Sequence, residues 1–303
     1  MEMEIFLEKL CRTVGEQGVK RDEPMKKHTT FRIGGPADIF ITPEDESQFL
    51  AAVRLCRQEG MPYYILGNGS NLLVSDSGYR GAVIETEKAL SRLEADGETL
   101  KAGAGILLSA LAKEALRLSL TGLESASGIP GTLGGGVVMN AGAYGFELKD
   151  VLESVRLLDR EGNVRTVPAG ELKLGYRYST IPETGSIVLE AALRLKKGDP
   201  EAIRARMEEL AAQRKSKQPL EYPSAGSTFK RPEGYFAGKL IDDAGLRGFQ
   251  VGGAQVSEKH CGFVINRGDA TAEDVMELCR QVQEKVFQKF GVRMDMEIRK
   301  LGM

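Results

Sequence analysis

The chain has 303 residues, 42% of them hydrophobic, with 41 lysines and arginines set against 43 aspartates and glutamates for a formal net charge of −2. That length suits two domains or three small ones, and the apolar content excludes a disordered chain. The near-neutral balance gives no electrostatic ground for nucleic acid or membrane as a partner, and leaves room for a phosphorylated small molecule at a local basic patch.

The chain opens with MEMEIFLEKLCRTVGEQ, amphipathic and mostly acidic, without the apolar run of a signal peptide. Nothing further on reaches the length of a membrane span. The four cysteines (Cys11, Cys56, Cys261, Cys279) lie far apart with no CxxC pair, which fits a reducing, cytoplasmic setting and argues against a zinc site. Cys11, Cys56 and Cys279 fall on apolar helix faces and are expected to be buried.

Alternation predicts a strand over 37–42, and helical spacing of Phe49, Leu50, Val53 and Leu55 predicts a helix over 47–59 capped by Gly60. Strands follow at 62–66, 71–75 and 81–85. From about Leu90 the pattern changes to hairpins turning at Asp96-Gly97 and Glu161-Gly162, interrupted by a helix over 107–119. Asp199-Pro200 reads as an N-cap with proline in the first turn, opening a helix to about Gln213, with Arg214 and Lys217 just beyond it. Thr271 with Asp274 three residues on resembles a capping box for a last helix reaching Phe290, and a strand over 293–301 follows. The reading is α+β in three parts, 1–85, 86–198 and 199–303.

Residues 126–145, ASGIPGTLGGGVVMNAGAYG, contain seven glycines interleaved with Ile129, Leu133, Val137, Val138 and Met139. The apolar residues imply packing, and the glycines imply that something large lies against the backbone. Gly67-Asn68-Gly69 and Gly103-Ala104-Gly105 both lack the third glycine of a dinucleotide fingerprint, and no GxxxxGK[ST] occurs, so neither usual nucleotide fold fits. Separate glycine loops at 33–36, 66–71 and 126–145 instead suit a pyrophosphate held by successive backbone N–H groups. Any one of them alone is equally a tight turn. With two histidines, His28 and His260, the chain offers no imidazole metal cluster, and no metal is expected.

His28-Thr29-Thr30-Phe31-Arg32-Ile33-Gly34-Gly35-Pro36-Ala37, then Gly67-Asn68-Gly69-Ser70-Asn71-Leu72-Leu73, then Ser127-Gly128-Ile129-Pro130-Gly131-Thr132 through Met139-Asn140-Ala141-Gly142-Ala143-Tyr144-Gly145 resemble the UDP-N-acetylenolpyruvoylglucosamine reductases of bacterial cell-wall precursor synthesis. The likeness runs from about residue 20 onward, with several motifs in the family's order. It implies the FAD-binding fold of vanillyl-alcohol-oxidase-type flavoproteins, with two FAD-binding subdomains and a third part for substrate. It further implies FAD and NADPH as cofactors, and UDP-N-acetylglucosamine enolpyruvate as the compound reduced to UDP-N-acetylmuramate. Cofactor contacts carried over are Arg32, Ile33, Gly34, Gly35, Gly67, Asn68, Gly69, Ser70, Asn71, Leu72, Ser127, Gly128, Pro130, Gly131, Thr132, Gly134, Asn140, Ala141 and Gly142.

In the family NADPH reduces FAD and leaves, flavin N5 gives hydride to the vinyl carbon, and a serine protonates the resulting enol. Gly226-Ser227-Thr228-Phe229-Lys230 matches the serine segment, so Ser227 takes the proton-donor role. Tyr176-Arg177-Tyr178-Ser179 matches the arginine motif, read as a short strand, with Arg177 on the substrate carboxylate. Glu297 matches the glutamate near the C-terminus, although the preceding residue, commonly proline, is here Met296. Arg214, Lys217 and Lys230 stand for the substrate phosphates. Arg231 stands where longer members often place asparagine, and the interval from Tyr178 to Tyr222 lacks the long subclass's tyrosine-bearing insertion. The rival readings are another FAD oxidase of the same fold and a flavin- or nucleotide-sugar-binding regulator without catalysis. Together, Ser227, Arg177 and Glu297 argue against both.

Overall fold

In a computed structural model, which describes residues 3–303, the chain divides into two compact units. The first comprises residues through Lys20, then Ile39–Asn68 and Gly81–Gln213, and the second Arg21–Asp38, Gly69–Arg80 and Arg214–Met303. Each has its own apolar core.

The first unit is built on an antiparallel sheet in the order Val164–Pro168, Leu152–Leu158, Ile187–Arg194, Thr99–Gly103, Leu93–Asp96. Both expected hairpins are present. Asp96 pairs with Thr99 around Gly97 at φ +59, and Leu158 pairs with Val164 around a loop that Asp159 braces by accepting Asn163 N–H at 2.8 Å. Helix Leu108–Arg117 buries Leu108, Leu111, Ala112 and Ala115 in the core. Helix Glu46–Gln58 is capped by the Asp45 carboxylate at Gln48 N–H and ends ahead of Gly60 at φ +65. It buries Phe49, Ala52, Val53 and Cys56. Tyr63–Leu66 runs parallel to the strand Tyr79–Glu85, with Tyr63 opposite Ala82. Cys56 is fully buried, its thiol pushed up to about 12 by that burial, whereas Cys11 on helix Met3–Val14 is half-buried.

The second unit carries an antiparallel sheet in the order Ser224–Ser227, Phe263–Asn266, Ala254–Val256, Gln250–Val251. Helix Ala272–Phe290 buries Val275, Leu278, Cys279, Val282 and Val286 in the same core. The capping box is formed as expected: the Thr271 hydroxyl accepts Asp274 N–H and the Asp274 carboxylate accepts Thr271 N–H. Both oxygens of Asp76 add to it, taking Ala272 N–H at 2.8 Å and Glu273 N–H at 3.1 Å.

Four expectations change. The strand over 293–301 is regular only at Arg299–Leu301, parallel to Leu72–Val74, with a single bridge at Met296 before it. The helix from Pro200 continues to Lys217, because Arg214, Lys215 and Lys217 are good helix formers and Pro219 is what stops it. Residues 133–139 form a helix that the three consecutive glycines conceal. Arg177 lies on a tight turn and not on a strand.

Candidate functional site

The glycine-rich run holds together in the first unit through few, specific contacts. Helix Leu133–Met139 packs against strands Thr99–Gly103 and Ile187–Arg194, capped by Thr132, whose hydroxyl accepts Gly135 N–H. Gly67 lies against that same Thr132: a Cβ there would stand 2.3 Å from the hydroxyl. Asn68 donates its amide to Pro130 O, so loops far apart in sequence are fastened together.

What lies against three of the seven glycines is the protein itself, so an external partner along the whole run is not what removed their side chains. A Cβ at Gly134 would meet Ala104 Cβ at 2.8 Å, one at Gly136 would meet Leu148 Cδ1 at 2.8 Å, and one at Gly142 would meet Phe146 O at 2.3 Å. Gly135 alone of the three helix glycines is exposed, its nearest neighbour being Thr132 Oγ1 at 3.6 Å.

The donors fit an anionic cofactor better than the glycine count does. Among the described residues, the backbone N–H groups of Gly67, Asn68, Gly131 and Thr132 in the first unit have no protein acceptor, and the same holds for Gly69, Ser70 and Asn71 in the second. None of these residues is exposed, and Thr132 is 3% exposed. Buried or half-buried backbone donors are rarely left without an acceptor, so the first-unit donors of Gly67, Asn68, Gly131 and Thr132 fit a diphosphate-bearing group such as FAD.

Arg177 sits in the first unit at the second position of a two-residue turn closed by Gly175 and Tyr178, which exchange N–H···O bonds of 3.1 and 3.2 Å. Its φ of +53 is left-handed, a conformation that costs a non-glycine residue energy and marks a constrained position. The guanidinium lies 5.0 Å from the Tyr176 ring and donates to Gly142 O at 3.2 Å. Asn140, also left-handed at φ +42, is fully buried and spends both amide N–H groups on the protein, at Glu147 Oε2 (3.1 Å) and Gly175 O (3.0 Å). The Lys149 ammonium holds the Glu147 carboxyl below the usual range, with smaller contributions from the Asn140 amide and the Arg177 charge.

In the second unit Ser227 ends the strand Ser224–Ser227. A bulge there sets Ser224 opposite Ile265 and Ser227 opposite Phe263, and Gly226 at φ +76 accommodates it. Ser227 is exposed, and among the described residues its hydroxyl has no protein partner; Lys230, three residues on, is exposed as well. Glu297 lies alongside: Glu297 N–H donates to Thr228 O at 2.8 Å and Lys230 N–H to Asp295 O at 2.9 Å, forming the Phe229–Met296 bridge. These bonds flank Met296, whose own N–H takes no part, so a proline or a methionine there gives Glu297 the same backbone support.

Asn71 donates its side-chain amide to Glu297 O at 3.3 Å and its carbonyl accepts Arg299 N–H at 3.0 Å. Thr30 donates to Ser224 O at 2.7 Å and Asn266 to Phe31 O at 3.3 Å, tying the Arg32–Gly35 loop to the strand of Ser227. A Cβ on Gly35 would stand 2.1 Å from Asp76 O. Arg214 donates to Gln218 Oε1 at 2.9 Å within the last helical turn, and Lys217 is exposed there. His260 Nδ1 accepts Gly262 N–H at 3.0 Å, a local brace. Thr30, Thr228 and Asn266 were not singled out in the sequence, where a polar residue next to an apolar one carries no signal of a brace.

A family model for the FAD binding domain matches residues 37–168, and one for the C-terminal domain of UDP-N-acetylenolpyruvoylglucosamine reductase matches residues 218–301. UDP-N-acetylenolpyruvoylglucosamine reductase of Agathobacter rectalis is 52% identical over 309 residues, covering 98% of both chains. The chain belongs to the UDP-N-acetylenolpyruvoylglucosamine reductase family. The Clostridioides difficile member is 50% identical over 97% of this chain and 96% of its own. A crystal structure of the reductase from Thermus caldophilus aligns with a TM-score of 0.80 at 39% identity, covering 93% of this chain and 98% of that one. The 4-ethylphenol oxidase of Gulosibacter chungangensis aligns over 97% of this chain and 64% of its own, with a TM-score of 0.51 at 14% identity, a likeness of fold alone. The fold class is therefore the α+β FAD-binding fold shared by this reductase family and oxidases of the vanillyl-alcohol-oxidase type. Among the described residues no helix is long and apolar enough to cross a membrane.

Proposed function

We propose that this chain catalyses the NADPH-dependent, FAD-mediated reduction of UDP-N-acetylglucosamine enolpyruvate to UDP-N-acetylmuramate, in the cytoplasm. Bound FAD, reduced by NADPH, supplies the hydride equivalent that the enolpyruvyl double bond accepts. The N–H groups of Gly67, Asn68, Gly131 and Thr132 hold its diphosphate. The three-part division of the chain into 1–85, 86–198 and 199–303 is retained as the reading of how cofactor and substrate regions are distributed. Arg214, Lys217 and Lys230 take the substrate phosphates.

Addition of a hydride equivalent at the vinyl CH2 moves the π electron pair onto the carbon bearing the carboxylate. Arg177 pairs with that carboxylate and stabilises the charge as it builds. Glu297 orients the enolpyruvyl group, and Ser227 gives its proton to the same carbon, completing the lactyl ether. The observation that carries this reading is the bonding of Glu297 to the strand of Ser227, with the serine hydroxyl exposed and uncommitted. In rapid mixing, Ser227→Ala is expected to be reduced by NADPH at the normal rate. Its reoxidation by the enolpyruvyl substrate should slow by about 10²–10⁴-fold, the usual worth of a positioned acid. Normal reoxidation in that variant would remove Ser227 from the mechanism.

A further inference from the structure

The turn that presents Arg177 is short: two residues, a left-handed Arg177, and the mutual bonds of Gly175 and Tyr178 that close it. The Arg177 guanidinium reaches Gly142 O and the Tyr178 hydroxyl donates to Glu183 Oε1 at 2.8 Å. Two side chains fasten it to the end of helix Leu133–Met139, one on each side of the arginine. Ahead of it, Asn140 donates Nδ2–H to Gly175 O at 3.0 Å. Behind it, Ser179, 1% exposed, donates its hydroxyl to Val138 O at 2.7 Å. Asn140 is in turn immobilised: it caps the helix with a left-handed backbone, and its Oδ1 accepts Lys149 N–H at 2.9 Å. Its second amide hydrogen goes to Glu147 Oε2, so the side chain has one orientation that satisfies every group.

We infer that Asn140 and Ser179 are positioning residues for Arg177, clamping its turn to the glycine-rich helix so that the guanidinium is held where substrate charge develops. The inference rests on the role proposed above for Arg177, and it gives Asn140 a duty different from contact with the cofactor. A guanidinium that stabilises developing charge must be placed before the reaction begins, and displacement of a catalytic group by about 1 Å can cost on the order of 10²-fold. The clamp meets that need with buried hydrogen bonds: without Ser179 the Val138 carbonyl loses its hydroxyl donor, and without Asn140 the Gly175 carbonyl keeps only the Tyr178 N–H of the turn itself.

The test uses the full-length, FAD-loaded protein and rapid mixing, which separates flavin reduction by NADPH from reoxidation by saturating enolpyruvyl substrate. Asn140→Ala and Ser179→Ala should each slow reoxidation by about 10- to 100-fold, and Ser179→Ala should retain FAD and reduction by NADPH. Ser179→Thr, which keeps the hydroxyl, should recover most of the Ser179→Ala loss. Combined with Arg177→Ala, neither alanine variant should slow reoxidation further, because each acts only through the arginine. Losses that persist undiminished in the Arg177→Ala background, or that fall on FAD retention or on reduction by NADPH, overturn the inference. Should Asn140→Ala not fold, the Ser179 series decides the matter alone. If Arg177→Ala itself reoxidises normally, the role given to Arg177 has failed and the clamp with it, a result distinct from failure of the clamp alone.

Discussion

Gly134 and Gly135 are adjacent in one short helix yet face different surroundings. A methyl group at Gly134 meets Ala104 Cβ at 2.8 Å and Ala104 O at 3.1 Å, inside a packed core with no flexible neighbour to yield. Gly134→Ala should therefore cost about 1–3 kcal/mol, read as a lower urea midpoint. Gly135→Ala meets only ordinary contact and should leave the apoprotein as stable or up to about 1 kcal/mol more so, since alanine favours the helix. A drop for Gly135→Ala equal to that for Gly134→Ala would show that helix propensity and local space do not govern these positions. His260 carries a different residue-scale effect. Burial depresses its pKa, so the folded protein holds the ring neutral, with Nδ1 accepting Gly262 N–H. A depressed histidine pKa means that the unfolded chain binds the proton more readily. The contribution is intact above the unfolded value of about 6.5 and is lost as pH falls below it. His260→Phe should flatten the decline in unfolding free energy between pH 7 and pH 5, and an unchanged slope would sink the assignment.

The helix Ala272–Phe290 shows how much of an element is written locally and how much arrives from elsewhere. Its start is legible in the sequence as Thr271 and Asp274, its end as Gly291, and its buried face as spaced apolar residues. The carboxylate of Asp76, which takes two further N–H groups, is invisible from the helix's own sequence because it comes from a separate segment of the chain. Asp76→Ala should destabilise the protein by about 1–2 kcal/mol in denaturant unfolding, whereas Asp76→Asn should recover part of the loss because one capping oxygen remains. The helix Leu133–Met139 is the opposite case: three of its seven residues are glycine, local propensity opposes it, and burial of Leu133 and Val137 decides. The tight turn at Arg177 was read as a strand for a related reason. Alternating Tyr176 and Tyr178 imitate a pleat, and nothing in an arginine announces a positive φ.

At the level of the molecule, motif order in the sequence was enough to identify the family, while the bonds that organise the site were not legible. Asn71 reads as one donor in a glycine loop, yet its amide holds Glu297, and Asn140 reads as part of a cofactor run, yet its side chain holds a turn. Such pairings depend on tertiary contacts between distant segments, and a single sequence carries no pattern that reports them. The second unit depends on them, since it is assembled from three separated stretches. Its strand Leu72–Val74 finds its parallel partner only in Arg299–Leu301, and Ser75 N–H is taken by Leu301 O at 2.9 Å. On the ribosome, the loop Gly69–Asn71 therefore emerges long before the strand that steadies it. A nascent chain has these backbone donors early but no partner strand beside them until Arg299–Leu301 has been translated.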